Sequence, residues 1–410
     1  MEYPSSGLLA NPDFVKLWIG QTISEFGSRI TRDALPILAV SMLDATPAQM
    51  GWLSAATSVP VLLLGLLAGV WVDRLRRRPI MIAADCTRIG LLLLVPLAFL
   101  GGWLSLPIVF LVAGGMSILG LLFETAYRAL LPAIVRRENL LQANARLSTT
   151  DSLAEIGGPA LTGLLVQAIG APLAIFVDAL SYLASITSLS AMRVQEAPPA
   201  THTDESRIRQ QIVQGFAALR EDPVLRRLAL ITAMRAFFGA GIGALYDLLA
   251  LRELGFTPAL LGLLVATGGI GALGGAALAE WLPRRFGVGK AITGALVLNG
   301  VISFCLPLSL SAPWLALSLL VLGQIVGDGA MMIFFVNKTS LQQMRTPDRL
   351  LGRVNASMGF LAEGIAPVGA VIAGLIAQQI GIQPTLWGIA LGIMATALYA
   401  LASPLRRITV

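Results

Sequence analysis

The chain has 410 residues, 56% of them hydrophobic and only 13% charged, with a formal net charge of +6 and a mean hydropathy of +0.79. A soluble domain carries roughly twice that share of charge, so the composition excludes an ordinary soluble core and indicates a chain solvated by lipid. The basic residues sit in short loops between apolar runs and do not interleave with aromatic ones, which excludes a nucleic-acid platform and points to anionic headgroups.

The lead Met1 to Pro12 has no basic region and no cleavage site ahead of the first long apolar run. No signal peptide is read, and the first helix is expected to direct insertion. Crossing the hydrocarbon core takes about 20 mostly apolar residues. Twelve runs qualify: 14–43, 47–72, 79–101, 104–127, 147–170, 172–192, 224–251, 258–281, 289–309, 313–337, 354–381 and 383–404. Run length and the lack of period-two alternation exclude strands. An all-α membrane protein with twelve transmembrane helices is predicted.

An ionisable side chain inside a span costs about 2.5–3.5 kcal/mol on insertion scales and marks a functional candidate. Span one carries Glu25, Arg29, Arg32 and Asp33, which at about 100° per residue fall within an arc of roughly 100°. Their charges sum to zero. Pairs Glu25–Arg29 and Arg29–Asp33 are expected, facing a wet cavity or partner helices. Asp85, Arg88, Glu124 and Arg128 lie near span ends and read as gate or structural pairs. Asp151 and Glu155 in span five are four apart and share a face. Asp178 reads as structural. Arg235 and Asp247 lie in span seven, Gln324 and Asp328 in span ten, and Glu363 in span eleven. A carboxylate in a low-dielectric cavity favours its protonated form. With no arginine nearby in sequence, Glu155, Glu363 and Asp328 are expected proton carriers. Glu25 and Asp33 are expected members of a salt-bridge network that substrate perturbs.

Other chemistry is sparse. Cys86 and Cys305 lie in apolar segments of different halves and the single histidine, His202, in a polar linker, so no disulfide, metal or cofactor is expected. No HExxH or GxSxG is present, so no enzyme is read. Gly269-Ile-Gly271-Ala-Leu-Gly274 fits a dinucleotide fingerprint, but inside an apolar span with no preceding strand, where close helix packing explains it. Energy is therefore expected from an ion gradient, a proton gradient first.

The loops alternate. Those at 44–46, 102–103, 171, 252–257, 310–312 and 382 hold a single basic residue, Arg252, whereas the others carry Arg74 to Arg78, Arg128 to Arg146, Arg284, Arg285, Lys290, Lys338 to Arg353, and Arg406 with Arg407. This places both termini in the cytoplasm of a multi-pass protein of the cell (inner or plasma) membrane. The chain also repeats itself at an offset of 211. Pro12 matches Pro223, Gly51 matches Gly262, Asn144 matches Asn355, and the stretch Gly163 to Gly170 matches Gly374 to Gly381. That predicts a parallel duplication: a six-helix lobe at 1–192, a linker at 193–222, and a second lobe at 223–410, with a midplane site between lobes. In the linker, Ile208, Ile212, Phe216 and Leu219 recur at helical spacing among Arg and Gln, predicting an amphipathic helix on the cytoplasmic face.

The segment Gly69-Val-Trp-Val-Asp73-Arg74-Leu-Arg76-Arg77-Arg78 resembles the G-x-x-x-D-R-x-G-R-R loop of the major facilitator superfamily, with Arg76 standing where the second glycine is usual. The resemblance implies that Asp73 and the arginines Arg74, Arg77 and Arg78 lock helix ends in one facing state and release them in the other. Gly157-Gly158-Pro159-Ala-Leu-Thr162-Gly163 is similar to the family's G-P-x-x-G-G antiporter pattern, with Thr162 replacing a glycine. Leu17 to Gly27, Phe176 to Tyr182 and Gln214 to Arg220 resemble the branch holding macrolide efflux proteins and the enterobactin exporter. The resemblance implies a major facilitator fold whose first, fourth, seventh and tenth spans line the cavity. It also implies export of drugs, with antibiotic resistance, or of siderophores, by proton antiport. An uptake carrier or facilitator on the same fold is the alternative. The expected partners are a small-molecule substrate and the bilayer, with the chain acting as a monomer.

Overall fold

The computed structural model describes residues 8–194 and 214–408, with the side chains of 66–70 and 73 outside the described set. Twelve long helices are present among the described residues: α1 Pro12–Met42, α2 Pro47–Arg74, α3 Arg77–Leu100, α4 Leu106–Ile134, α5 Leu140–Ile169, α6 Ala171–Ala191, α7 Pro223–Asp247, α8 Pro258–Phe286, α9 Val288–Ile302 continued by Cys305–Ser311, α10 Ala316–Arg345, α11 Leu351–Ile380 and α12 Ile382–Ala402. Eleven are long and apolar enough to span a membrane. The exception is α1, because its own charged residues break every apolar window. Residues 214–221 form a short helix whose Phe216, Ala218 and Leu219 pack into the core beside α7. Ile208 and Ile212 of the expected linker helix lie outside the described residues.

Helix starts follow local chemistry. The side chain of Asn11 accepts from the backbone N–H groups of Asp13 at 3.1 Å and Phe14 at 3.3 Å, and Asp222 caps α7 the same way from Val224 and Leu225, each followed by proline. These caps are 211 residues apart. So are the single-residue breaks between α5 and α6 and between α11 and α12, where Gly170 and Gly381 take φ of 82° and 93°. Only glycine adopts that conformation without steric cost. Several helices outrun their apolar runs: α4 reaches Ile134, α5 begins at Leu140, α10 reaches Arg345 and α11 begins at Leu351. Lipid limits only the apolar stretch of a span. Helical hydrogen bonding is local and continues beyond it.

The chain forms two compact units. In the first, Met1–Asp44, Val59–Thr203 and Thr257–Gly262, α1 packs on α5 and α6, and α3 packs on α4 and α6. In the second, Ala45–Ser58, Asp204–Phe256 and Leu263–Val410, α7 packs on α11 and α12, and α9 packs on α10 and α12. The same pairings recur, as a duplication requires. Each unit also holds a few residues from the other half of the sequence, and glycine explains why. In the first unit a Cβ on Gly163 would strike the Pro258 carbonyl oxygen and lie 3.0 Å from Gly262 Cα. In the second a Cβ on Gly51 would lie 2.6 Å from the Ala370 carbonyl oxygen.

Lipid tails are as apolar as leucine, so helix association here rests on close packing of small residues. Gly20, Ser24, Gly27 and Thr31 of α1 meet Asp178, Ser181, Ser185 and Ser188 of α6. A Cβ on Gly27 would run into Ser181 Oγ and come within 2.6 Å of its Cβ. We predict that Gly27→Leu destabilises the first unit by about 1–3 kcal/mol through overpacking. Unfolding of purified protein in detergent checks this. A Gly27→Leu protein as stable as the wild type contradicts the packing.

Candidate functional site

The face of α1 opposite α6 carries Glu25, Arg29, Arg32 and Asp33. Arg29 Nε lies 3.3 Å from Glu25 Oε1, so the first expected pair forms. The second does not. Asp33 Oδ1 lies 3.6 Å from Arg32 Nε instead, and Arg29 Nη1 pairs with Glu155 Oε2 of α5. Arg32 Nη2 reaches the same carboxylate at 3.4 Å. Glu155, expected from sequence to be clear of arginine, is thus held by two. Sequence neighbours could not reveal this because both arginines come from another helix.

The Gly-Pro stretch of α5 makes that approach possible. A Cβ on Gly158 would lie 2.8 Å from Arg29 Cβ and 3.1 Å from its Cγ, so the missing side chain admits the arginine stem one turn from Glu155. Pro159 has no N–H to offer the Glu155 carbonyl. Thr162 Oγ1 bonds back to the Gly158 carbonyl at 2.9 Å. In all, three carboxylates (Glu25, Asp33, Glu155) share two guanidiniums (Arg29, Arg32), which leaves one negative charge uncompensated. Asp151, one turn before Glu155 and exposed, lies within electrostatic reach of Glu25, Glu124, Arg29 and Arg128.

A second polar cluster in the first unit is enclosed. Asp85 is fully buried and lies 3.1 Å from Arg88 Nη1 on the same face of α3. The Arg88 guanidinium sits over the rings of Phe123 at 5.0 Å and Tyr182 at 5.2 Å. Asp178, also fully buried, accepts from Thr31 Oγ1 and, at 3.0 Å, from Ser181 Oγ. Tyr182 and Ser28 share a hydroxyl contact at 2.9 Å. Sequence analysis placed Asp85 and Arg88 near a helix end and missed their joining with α6. The signal was their three-residue spacing inside an apolar run. Glu124 and Arg128, by contrast, form an exposed pair at 2.6 Å.

Of the signature-like loop, Gly69 and Asp73 have side chains outside the described residues. Arg78 Nη2 donates to the Ser190 carbonyl at 2.6 Å, near the end of α6, where a cation complements the helix dipole. Arg74 is exposed and Arg77 half-buried. Arg76 precedes α3 in extended geometry, φ −71° and ψ 131°, so no left-handed residue is needed. Its repeat partner Gly287 takes φ 88°. The usual glycine is dispensable in the first half because the turn is built differently.

In the second unit Asp328 is exposed on α10, and a Cβ on Gly268 of α8 would meet its Oδ2. Glu363 is exposed on α11. Arg235 stands at the middle of α7, with Nε and Nη1 buried and without a hydrogen-bond partner among the described residues. Arg235, Asp328 and Glu363 form no ion pair with one another. A cavity of about 270 Å³ beside Phe237, Phe238 and Ile389 has no charged lining. Among the described residues no three His, Cys, Asp or Glu side chains gather as metal ligands.

The family described as transmembrane secretion effector, of the MFS type, matches residues 5–410. An MFS-type transporter of Sinorhizobium fredii is 30% identical, covering 90% of this chain and 89% of its own. The multidrug efflux pump Tap of Mycobacterium tuberculosis is 27% identical over 93% and 91%. The macrolide efflux protein A of Streptococcus pyogenes is 23% identical over 90% of each. Among solved structures, the nucleoside transporter NupG superposes with a TM-score of 0.74 at 14% identity, covering 95% and 98%.

Proposed function

Because the chain belongs to the transmembrane secretion effector family of major facilitator transporters, we propose that it exports small amphipathic molecules from the cytoplasm in exchange for protons. In this reading two six-helix halves open alternately to the two sides of the cell membrane, with both termini cytoplasmic and the chain working as a monomer. The observation that carries the proposal is the charge count on α1 and α5, where three carboxylates meet two guanidiniums. One proton completes that network, and its departure leaves a charge that only a hydrated or rearranged site tolerates. Binding and loss of the proton would then favour different facing states. Drug-efflux relatives support the outward direction. Siderophore-like cargo belongs to the same amphipathic class.

The test is efflux of ethidium from cells and its uptake into everted vesicles. Transport is expected to collapse with a protonophore and to be lost in Glu25→Gln and Asp33→Asn. If both variants, normally expressed, pump like the wild type, the α1 network has no part in coupling. Accumulation in right-side-out cells instead of everted vesicles would make the protein an uptake carrier.

A further inference from the structure

Arg235 differs from Arg29 and Arg88, each of which lies against a carboxylate. Arg235 Nε and Nη1 are buried with no hydrogen-bond partner among the described residues. Twelve residues separate it from Pro223 and twelve from Asp247, about 18 Å of helix on either side. The arginine stem cannot carry the charge to either end.

Its neighbours on the same face share the deficit. At about 100° per residue, Thr232 and Tyr246 fall within roughly 60° of Arg235. Thr232 Oγ1 and Tyr246 OH are also buried and without a hydrogen-bond partner among the described residues. For threonine this is unusual here. Thr22, Thr125, Thr149, Thr162, Thr293, Thr385 and Thr396 all bond to the carbonyl four residues back. Thr232 keeps its hydroxyl unspent. Between the polar groups lie Gly239 and Gly243, where an added Cβ would meet nothing within 4 Å. The opposite face is the packed one, where a Cβ on Gly241 would lie 3.0 Å from Ala373 of α11. A π-helical turn, Leu248–Glu253, follows directly after α7, and such turns gather at functional sites.

A guanidinium with a free hydroxyl one turn away is a donor set, and an oxyanion satisfies it. Resting on the export reading above, we propose that the substrate is an amphipathic molecule with an anionic oxygen head, a carboxylate or a phosphate monoester. Arg235 and Thr232 bind that head. The apolar body runs along the open strip at Gly239 and Gly243, and Tyr246, roughly 16 Å further along the axis, takes a second polar group.

The test uses full-length protein in proteoliposomes with an imposed proton gradient. The probes are dansyl-undecanoate, its phosphate-monoester analogue, and ethidium as a cationic control. The wild type is expected to move at least one of the two oxyanions, and the responding probe identifies the head group. Arg235→Gln is expected to lower the oxyanion-to-ethidium rate ratio by about tenfold or more. Arg235→Lys should retain most of the ratio, and Thr232→Val should lower it by about three- to tenfold. Should Arg235→Gln fail to fold, Thr232→Val carries the same comparison. An unchanged ratio in the variants overturns the proposal. So does equal loss of all three probes in folded Arg235→Gln, which would mean that Arg235 pairs with a carboxylate of the chain. Proton-dependent ethidium transport without either oxyanion overturns it and leaves export standing. A wild type that moves no probe removes the export reading as well.

Discussion

Arg88→Met is expected to leave no stable first unit. Asp85 and Asp178 are both fully buried, and Arg88 is the cation whose charge reaches both. Removing one partner of a buried pair costs about 3–5 kcal/mol, because the remaining charge has no water to return to. Whole-domain stability is only about 5–15 kcal/mol. Loss of the contacts to Phe123 and Tyr182 adds to the cost. The single variant should therefore aggregate on extraction, or melt far below the wild type when followed by tryptophan fluorescence. The double variant Asp85→Leu/Arg88→Met removes both charges and should recover most of the stability, since apolar replacement of a buried pair is often neutral. If Arg88→Met melts with the wild type, the pair is open to water and the enclosed cluster is misread.

That cluster shows where sequence reading stops. Span number and the duplication are written in one dimension. Lipid demands long apolar runs, and a 211-residue offset survives as matched caps, proline starts and left-handed glycines such as Gly170 and Gly381. The face of α1 was equally legible, because helical periodicity alone collects Glu25, Arg29, Arg32 and Asp33. Partner choice was not legible. Glu155 lies 126 residues from Arg29 in sequence, and only the α1–α5 crossing, opened by Gly158, brings them together. Asp33 was assigned to Arg29 by the four-residue rule, yet Arg29 is drawn across to α5 and Arg32 takes its place. Helix ends shifted for a related reason. Hydropathy marks where lipid ends, whereas caps and backbone hydrogen bonds mark where the helix ends. Arg235 was visible as an intramembrane charge. Its lack of a hydrogen-bond partner among the described residues became visible only in the structure.

Arg29→Met is expected to slow transport in a way that a second mutation partly reverses. Arg29 is largely buried and bridges Glu25 on its own helix to Glu155 on α5. Without it, Glu25, Asp33 and Glu155 face Arg32 alone, and the uncompensated negative charge rises from one to two. Breaking a bridge whose acid partners are largely exposed costs about 1 kcal/mol, or about fivefold in any equilibrium that needs the pair intact. Proton-driven ethidium efflux should fall by about that factor in a variant that still reaches the membrane. Adding Glu155→Gln removes one carboxylate and returns the excess to one, so Arg29→Met/Glu155→Gln should regain part of the lost rate despite missing both sides of the bridge. Arg29→Lys tests geometry at constant charge. An ammonium is a point donor and cannot fork between carboxylates on two helices as a guanidinium does, so its rate should fall between those of the wild type and Arg29→Met. Recovery in the double variant means that charge count governs the network. No recovery, with the double variant folded and inserted, means that the specific α1–α5 bridge is the coupling element. Wild-type pumping by Arg29→Met, still sensitive to protonophore, would remove this face of α1 from the transport cycle.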